Sequence, residues 1–337
     1  MENKQYTAGD FKSAAKVTWC PGCGDFAILS SLQKAMAELK LTPENTAVIS
    51  GIGCSSRLPY FMATYGFHTI HGRGSAIATG VKVANPDLSV WQITGDGDCL
   101  AIGGNHFIHA VRRNVDLNII LMNNKIYGLT KGQYSPTTER GYVTKTSPYG
   151  TIEDPFVPAE LTMGARGNFF ARSIDVDLST TFDCMIEAAK HKGASVVEVL
   201  QNCVIFTDGV HDYYSDKETR PDRTILLKHG EKMIFGANRD KGLVLDGLKL
   251  KVVTIGENGI TQEDILTHDA TEADNALHYK LALMHNEGLP LAIGVIRNVE
   301  APVYDQEVKA QIAEVQANKP QRKLRDFLLS GETWEVK

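Results

Sequence analysis

The stretch Ser89-Val90-Trp91-Gln92-Ile93-Thr94-Gly95-Asp96-Gly97-Asp98 decides how this chain is read. Its first six residues are short, largely apolar and partly β-branched, which suits a strand covered on both sides in a parallel sheet. The strand then runs into glycines that flank a carboxylate. A second run of the same kind, Leu117–Met122, leads into Asn123-Asn124, 28 residues after Asp96. Thr46–Ser50 and Ser195–Leu200 repeat the strand pattern. Between the runs, 25–39, 75–85, 104–113 and 180–191 read as helices; in the first, Phe26, Leu29, Leu32, Met36 and Leu39 recur at three- and four-residue steps, as one buried face requires. Strand–helix alternation predicts an α/β fold with a doubly wound, mostly parallel sheet.

Adjacent parallel strands end on the same side, so Asp96 and Asn124 face each other over the carboxyl edge, where ligands of such sheets bind. Gly95 and Gly97 let backbone N–H groups approach an anion, and the helix that follows presents its N-terminus. A carboxylate, an amide oxygen and phosphate oxygens are the hard donors Mg²⁺ takes. Gly-Asp-Gly alone is also an ordinary turn, and Asn-Asn an ordinary cap. Together, each at the end of a buried strand, they call for a Mg²⁺–diphosphate cofactor.

The chain has 337 residues, 43% hydrophobic and 22% charged, with a net charge of −5, an ordinary globular composition. No run approaches roughly 18 apolar residues, so no membrane span is expected, and the first residues lack the apolar stretch of a secretory signal; a cytoplasmic location is expected. Residues 1–204 carry 18 Lys+Arg and 18 Asp+Glu, and residues 205–337 carry 17 and 22, so the whole −5 lies in the second part. The mild acidity argues against nucleic acid as a partner. All six cysteines precede residue 205. The expected division is therefore a cofactor domain over 1–205 and a C-terminal α/β extension over 206–337, made of a strand at 250–254, a helix at 271–286, a strand at 291–297 and a helix at 305–317. Residues 131–160, rich in Gly, Pro, Ser and Thr, read as one long loop; loops of that length are usually functional.

Cys20 and Cys23 form a close C-x-x-C pair, while Cys54 and Cys203 each follow a strand. Four such thiolates can serve one metal centre. Cys99 and Cys184 sit in apolar or helical contexts and read as packing residues. A thioredoxin-like pair requires a preceding buried strand, which residues 1–18 do not offer. A structural zinc site and an iron–sulfur cluster remain, and spacing alone does not separate them.

Gly95-Asp96-Gly97, followed at this distance by Asn123-Asn124, resembles the thiamine diphosphate signature. Taken with Trp19–Gly24 (WCPGCG), Gly51–Ser56 (GIGCSS), His71-Gly72-Arg73-Gly74, Gly95–Asp98 (GDGD) and Ile126–Gln133 (IYGLTKGQ), in that order over roughly residues 10–300, the chain resembles the β subunit of 2-oxoacid:ferredoxin oxidoreductases, the 2-oxoglutarate type above all. The resemblance implies the thiamine diphosphate-binding fold. It also implies Mg²⁺ held by Asp96, Asn124 and the backbone carbonyl of Ile126, and one [4Fe–4S] cluster on Cys20, Cys23, Cys54 and Cys203. Ile52, Gly53, Ser55, His71, Gly72, Gly95, Gly97, Asp98, Asn124, Tyr127, Gly128, Leu129 and Thr130 are implied as thiamine diphosphate contacts, His71 hydrogen-bonding the diphosphate. Arg73 does the same or pairs with a partner carboxylate. Lys131 is the residue for substrate choice: enzymes of this family acting on 2-oxoglutarate resemble the Leu-Thr-Lys-Gly-Gln run, whereas pyruvate enzymes tend to have a small residue at the lysine position.

The implied reaction converts 2-oxoglutarate, CoA and oxidised ferredoxin into succinyl-CoA, CO₂ and reduced ferredoxin, in either direction. The alternatives are a pyruvate or broad-specificity enzyme of the same family, and a zinc-stabilised thiamine diphosphate-binding module without redox role. No general base for the aminopyrimidine is found in this chain. In the family it comes from the α subunit, so an α₂β₂ assembly is expected and this chain alone should be inactive. The 206–337 segment reads as a lid or subunit interface.

Overall fold

The described residues of this computed structural model are 5–319 and 322–336. Their strands are β1 (Thr46–Ser50), β2 (Tyr65–His68), β3 (Ser89–Gly95), β4 (Asn118–Asn123), β5 (Ile126–Tyr127), β6 (Gln133–Tyr134), β7 (Phe169–Ile174), β8 (Ser195–Leu200), β9 (Thr224–Leu227), β10 (Ile234–Phe235), β11 (Lys241–Asp246), β12 (Lys249–Thr254) and β13 (Leu291–Asn298). Their α-helices are α1 (Asp25–Glu38), α2 (Gly74–Ala84), α3 (Asp96–Leu100), α4 (Gly104–Arg113), α5 (Pro158–Gly164), α6 (Leu178–Lys190), α7 (Asp212–Ser215), α8 (Arg220–Arg223), α9 (Ala276–Leu283), α10 (Tyr304–Asn318) and α11 (Leu324–Leu328).

Eight strands form one sheet in the order β2-β1-β3-β4-β8-β7-β13-β9. The first six are parallel, with register Ile49↔Gln92, Ile93↔Ile120, Ile120↔Val197 and Val197↔Ala171. From β1 the chain goes to β2 on one side and then to β3 on the other. That reversal opens a crevice beyond the carboxyl ends of β1 and β3.

The strands are buried on both faces because successive side chains point to opposite sides. Ile49, Ile119, Leu121 and Val196 pack with Ala78, Phe107, Val111, Met163 and Leu281 from α2, α4, α5 and α9. Val48, Ile120, Met122, Val197 and Val199 pack with Ile28, Leu32, Met36 and Met185 from α1 and α6. Each fully buried aliphatic side chain contributes about 1.5–3 kcal/mol over its exposed state. In α1, Leu29, Leu32 and Met36 are buried as expected, but Phe26 is 38% exposed and meets Trp19 edge-on at 5.6 Å.

The expected break at 205/206 is not a break in the sheet. β13 pairs with β7 antiparallel and β9 pairs with β13, so the C-terminal segment completes the sheet's far side. It also supplies the antiparallel ribbon β10-β11-β12. The helix expected over 271–286 is regular only at Ala276–Leu283, followed by a 3₁₀ turn at Met284–Glu287. Before it, the side chains of Asp269, Glu272 and Asp274 take the backbone N–H groups of Thr271, Asp274 and Ala276, an alternative to helical pairing that short polar residues offer. Strand β7, not expected from the sequence, hides behind Arg172, whose charge breaks the apolar run although its side chain is 2% exposed and ion-paired to Glu198 on β8.

Candidate active site

The crevice at the β1/β3 reversal holds a cavity of about 420 Å³. Its wall comprises Ile52, Gly53, Cys54 and Ser55 after β1; His71 before α2; Gly95, Asp96, Gly97 and Asp98 at the β3–α3 junction; and Asn124, Ile126, Tyr127, Gly128, Leu129, Thr130 and Gln133 beyond β4. Three of the expected residues lie off this wall. Gly72 is buried behind it, its N–H donating to Asp98 at 2.7 Å. Arg73 points its guanidinium at the carbonyl oxygens of His71 and Ile102, at 3.3 and 3.4 Å. Lys131 is exposed on the turn joining β5 to β6, in a left-handed conformation with φ 77°.

Asp96 is 2% exposed. Its Oδ2 accepts hydrogen bonds from Ser135 Oγ at 2.5 Å and Thr137 Oγ1 at 2.6 Å. Burial pushes this carboxyl above its usual range, and the two hydroxyls offset only part of that. No Lys or Arg pairs with it among the described residues, so a buried anion here has hydroxyl donors but no cation. That is the environment a divalent ion completes. Asn124 faces the same cavity, its Oδ1 accepting from Ile126 N at 3.1 Å and its Nδ2 donating to Gln201 at 2.8 Å. Carboxylate, amide oxygen and backbone carbonyl thus suit a hard cation. Opposite, the Tyr127 hydroxyl donates to the Gly97 carbonyl at 2.9 Å. A Cβ on Gly97 would stand 2.3 Å from the Tyr127 ring, so only glycine admits that ring.

Asp98 touches the wall yet spends both oxygens inside the protein. Oδ1 accepts from Ile52 N (3.0 Å) and Gly72 N (2.7 Å) and faces His71 Nδ1 at 2.9 Å; Oδ2 accepts from Thr94 Oγ1 at 2.7 Å. One side chain therefore ties the loop after β1 to the turn before α2.

The four expected sulfur ligands line a second cavity of about 190 Å³, together with Asp25, Arg57 and Gln201. Trp19 Nε1 donates to the carbonyl of Cys54 at 2.7 Å, and Gln201 Nε2 reaches Cys23 Sγ at 3.3 Å. A Cβ placed on Gly128 would lie 3.5 Å from Cys54 Sγ and 3.6 Å from Cys203 Sγ. Burial, then the charge of Asp25, pushes the Cys23 thiol well up. The same two causes, with Cys203, push Cys54 up to about 11. Burial pushes Asp25 itself up to about 7, partly relieved by Cys23 and aided by Asp175. Crowded acids of this kind ionise when a cationic centre joins them. Among the described residues, no three His, Cys, Asp or Glu side chains already close on one coordination point. The donor number and type fit a four-thiolate centre. The two cavities share Cys54, Asn124, Gly128 and Leu129 as common wall. Cys99 and Cys184 are 3% and 1% exposed, as packing residues should be.

Sequence reasoning missed Ser135 and Thr137, which hold Asp96, and Asp25 and Gln201 beside the cysteines. The one available signal was the Ser135-Pro136-Thr137-Thr138 run inside the long loop.

Residues 51–199 match the family model of the thiamine pyrophosphate enzyme, C-terminal TPP binding domain. The chain is 46% identical over 330 residues, 97% of its own length and 88% of the relative's, to the 2-oxoglutarate oxidoreductase subunit KorB of Mycobacterium tuberculosis. It is 43% identical over 222 residues to the β subunit of a 2-oxoacid:ferredoxin oxidoreductase from Sulfolobus, covering 64% of this chain and 73% of the relative. A solved structure, the 2-oxoglutarate:ferredoxin oxidoreductase from Magnetococcus marinus with 2-oxoglutarate, coenzyme A and succinyl-CoA bound, superposes with a TM-score of 0.78 at 32% identity, over 98% of this chain and 97% of that one. The chain belongs to the family of 2-oxoacid:ferredoxin oxidoreductase β subunits, whose thiamine diphosphate-binding fold it shares.

Proposed function

We propose that this chain is the β subunit of an enzyme that decarboxylates 2-oxoglutarate oxidatively, forming succinyl-CoA and CO₂ and passing electrons to ferredoxin. The observation that carries this reading is the common wall: a cavity suited to a Mg²⁺–diphosphate cofactor adjoins a cavity lined by four cysteines across Gly128 and Leu129. A non-redox decarboxylase has use for the first cavity only. Thiamine diphosphate, when bound, supplies the ylid nucleophile and the electron sink. Asp96, Asn124 and the Ile126 carbonyl would hold its Mg²⁺. His71 and the glycines around Asp96 would face the diphosphate, and Tyr127–Thr130 would cover it. Cys20, Cys23, Cys54 and Cys203 would hold one [4Fe–4S] cluster.

Lys131 is proposed to meet the distal carboxylate of 2-oxoglutarate, since it lies between the wall residues Thr130 and Gln133. The aminopyrimidine base would come from an α subunit in an α₂β₂ assembly. The exposed C-terminal part, where α10 and α11 present Ile312, Val315, Leu324, Phe327 and Leu328, would serve as lid or subunit interface. No helix of the described residues is long and apolar enough to cross a membrane. A cytoplasmic enzyme is proposed, since four thiols kept free for a metal centre suit a reducing compartment.

Anaerobic purification with the α subunit, followed by metal and sulfide analysis, tests the reading. Four irons with matching acid-labile sulfide per β chain and a brown colour are expected. A colourless protein holding one zinc would overturn the electron-transfer role while leaving the thiamine site standing.

A further inference from the structure

Gln201 follows β8 with only 1% of its surface exposed, and its side chain reaches toward both cavities. Oε1 accepts from Asn124 Nδ2 at 2.8 Å. Nε2 donates to the Asn202 carbonyl and reaches Cys23 Sγ at 3.3 Å. Main-chain groups fix which end of each amide is which. A carbonyl only accepts, so the end of Gln201 against Asn202 is the NH₂, and its two hydrogens serve the carbonyl and the sulfur. A backbone N–H only donates, so the end of Asn124 against Ile126 N is the oxygen. The Gln201 backbone is anchored as well, its N–H donating to the Asn123 carbonyl at 2.9 Å. One buried amide therefore links Asn124, on the wall of the cofactor cavity, to Cys23, in the cysteine cavity.

We propose that Gln201 is a positioning residue for both centres: its oxygen holds the Asn124 amide with Oδ1 turned to the Mg²⁺ site, and its N–H on Cys23 Sγ sets the reduction potential of the four-thiolate cluster. This deepens the function proposed above and rests on it. Asn124 Oδ1 keeps a second lone pair beyond the one given to Ile126 N, and that pair is the one a cation takes. A donor aimed at a ligating sulfur favours the cluster form with one more electron, so it raises the potential. Reduction adds one electron, supplied by oxidation of the 2-oxoacid and passed on to ferredoxin. No bond or proton at Gln201 changes.

The test uses the complex of this chain with its α subunit, purified anaerobically and stripped of thiamine diphosphate so that cofactor occupancy cannot shift the potential. Iron content and circular dichroism are checked first. The cluster's midpoint potential is read by paramagnetic resonance during titration with dithionite, and the Kd of thiamine diphosphate with excess Mg²⁺ by calorimetry. Gln201→Met keeps the unbranched length and removes both polar ends. Its potential is expected to fall by about 59 mV, a tenfold change in the one-electron equilibrium constant, and its cofactor affinity to fall about tenfold. Gln201→Glu keeps an acceptor toward Asn124 and loses the donor toward Cys23, so its potential is expected to fall while its affinity stays near wild type. A merely structural role would change stability and leave the potential where it was. An unchanged potential in either iron-loaded variant, or unchanged affinity in Gln201→Met, overturns the proposal. Failure of both variants to take up iron also overturns it, because Gln201 is then part of the scaffold. A wild-type complex without iron overturns the electron-transfer role itself, and one that binds no thiamine diphosphate overturns the thiamine site.

Discussion

Arg172 on β7 and Glu198 on β8 form an ion pair of 2.7 Å in which both side chains are 2% exposed. Further hydrogen bonds support the pair: Arg172 also donates to the Ala282 carbonyl on α9 at 3.1 Å, and Glu198 accepts from Asn123 Nδ2 at 2.8 Å. The Thr137 hydroxyl sits between Asn123 Oδ1 at 2.9 Å and Asp96 Oδ2 at 2.6 Å, with one hydrogen to give to either acceptor. A buried polar chain thus runs from the middle of the sheet to Asp96, the carboxylate proposed to hold Mg²⁺. Burial opposes the ionised form of Glu198, but the Arg172 charge and the hydrogen bonds from Asn123 and Arg172 outweigh it and hold the carboxyl below its usual value.

Removing one partner of that pair strands a charge in the core. Arg172→Met should cost about 3–5 kcal/mol, measured by denaturant unfolding. The double variant Arg172→Met with Glu198→Gln should recover most of the loss. A double variant as unstable as the single one would show that packing, not charge, makes the arginine necessary.

The pH dependence of stability has a definite sign. Burial lowers His211 and His268 to about 4 and His285 to about 3. The unfolded chain, whose histidines titrate near 6.5, takes up protons first as pH falls. Stability from these three is full above about pH 6.5 and is lost on the way down to about pH 4, each by about 1.4 kcal/mol per pH unit. Asp25, raised to about 7, acts oppositely over the same range and offsets about one histidine. A loss of stability as the pH falls from 6 to 5 is expected in unfolding of the metal-free chain. A flat profile there would refute the buried, neutral state of these histidines.

Thr137 should act on the cofactor through Asp96, whose Oδ2 lies 2.6 Å from its hydroxyl. Thr137→Val keeps shape but removes one of two hydroxyl donors, so the affinity for Mg²⁺–thiamine diphosphate should fall about tenfold. Asp96→Ala should abolish Mg²⁺-dependent cofactor binding with the circular dichroism unchanged. Equal effects of both would mean that Thr137 shapes the loop rather than the carboxylate.

Lys131→Ala should raise KM for 2-oxoglutarate by about 10- to 100-fold, the worth of about 1.4–2.8 kcal/mol in a charge-assisted contact, and change KM for pyruvate little. Steady-state kinetics on the two oxoacids decides it. Equal effects on both would remove Lys131 from substrate choice.

Local pattern and spacing were enough for β1, β3, β4 and β8, the helices between them, and the placing of Asp96 and Asn124 over one edge, because burial on both faces writes itself as uninterrupted apolar runs. The roles of Cys99 and Cys184 followed from their apolar surroundings in the same way. What required the tertiary structure were relations between charges distant in the chain. Arg172 hides β7 from any hydrophobic pattern until Glu198 on the neighbouring strand neutralises it. Asp98 reads only as a cofactor contact in the sequence, and its second role, holding Ile52, Gly72, His71 and Thr94 together, shows only in the fold. The acidic segment after residue 205 reads as an appendix until β13 and β9 join the sheet. Periodicity reports which residues avoid water, whereas a polar side chain finds its role in a partner, and partners 26 residues or more apart meet only once the chain has folded.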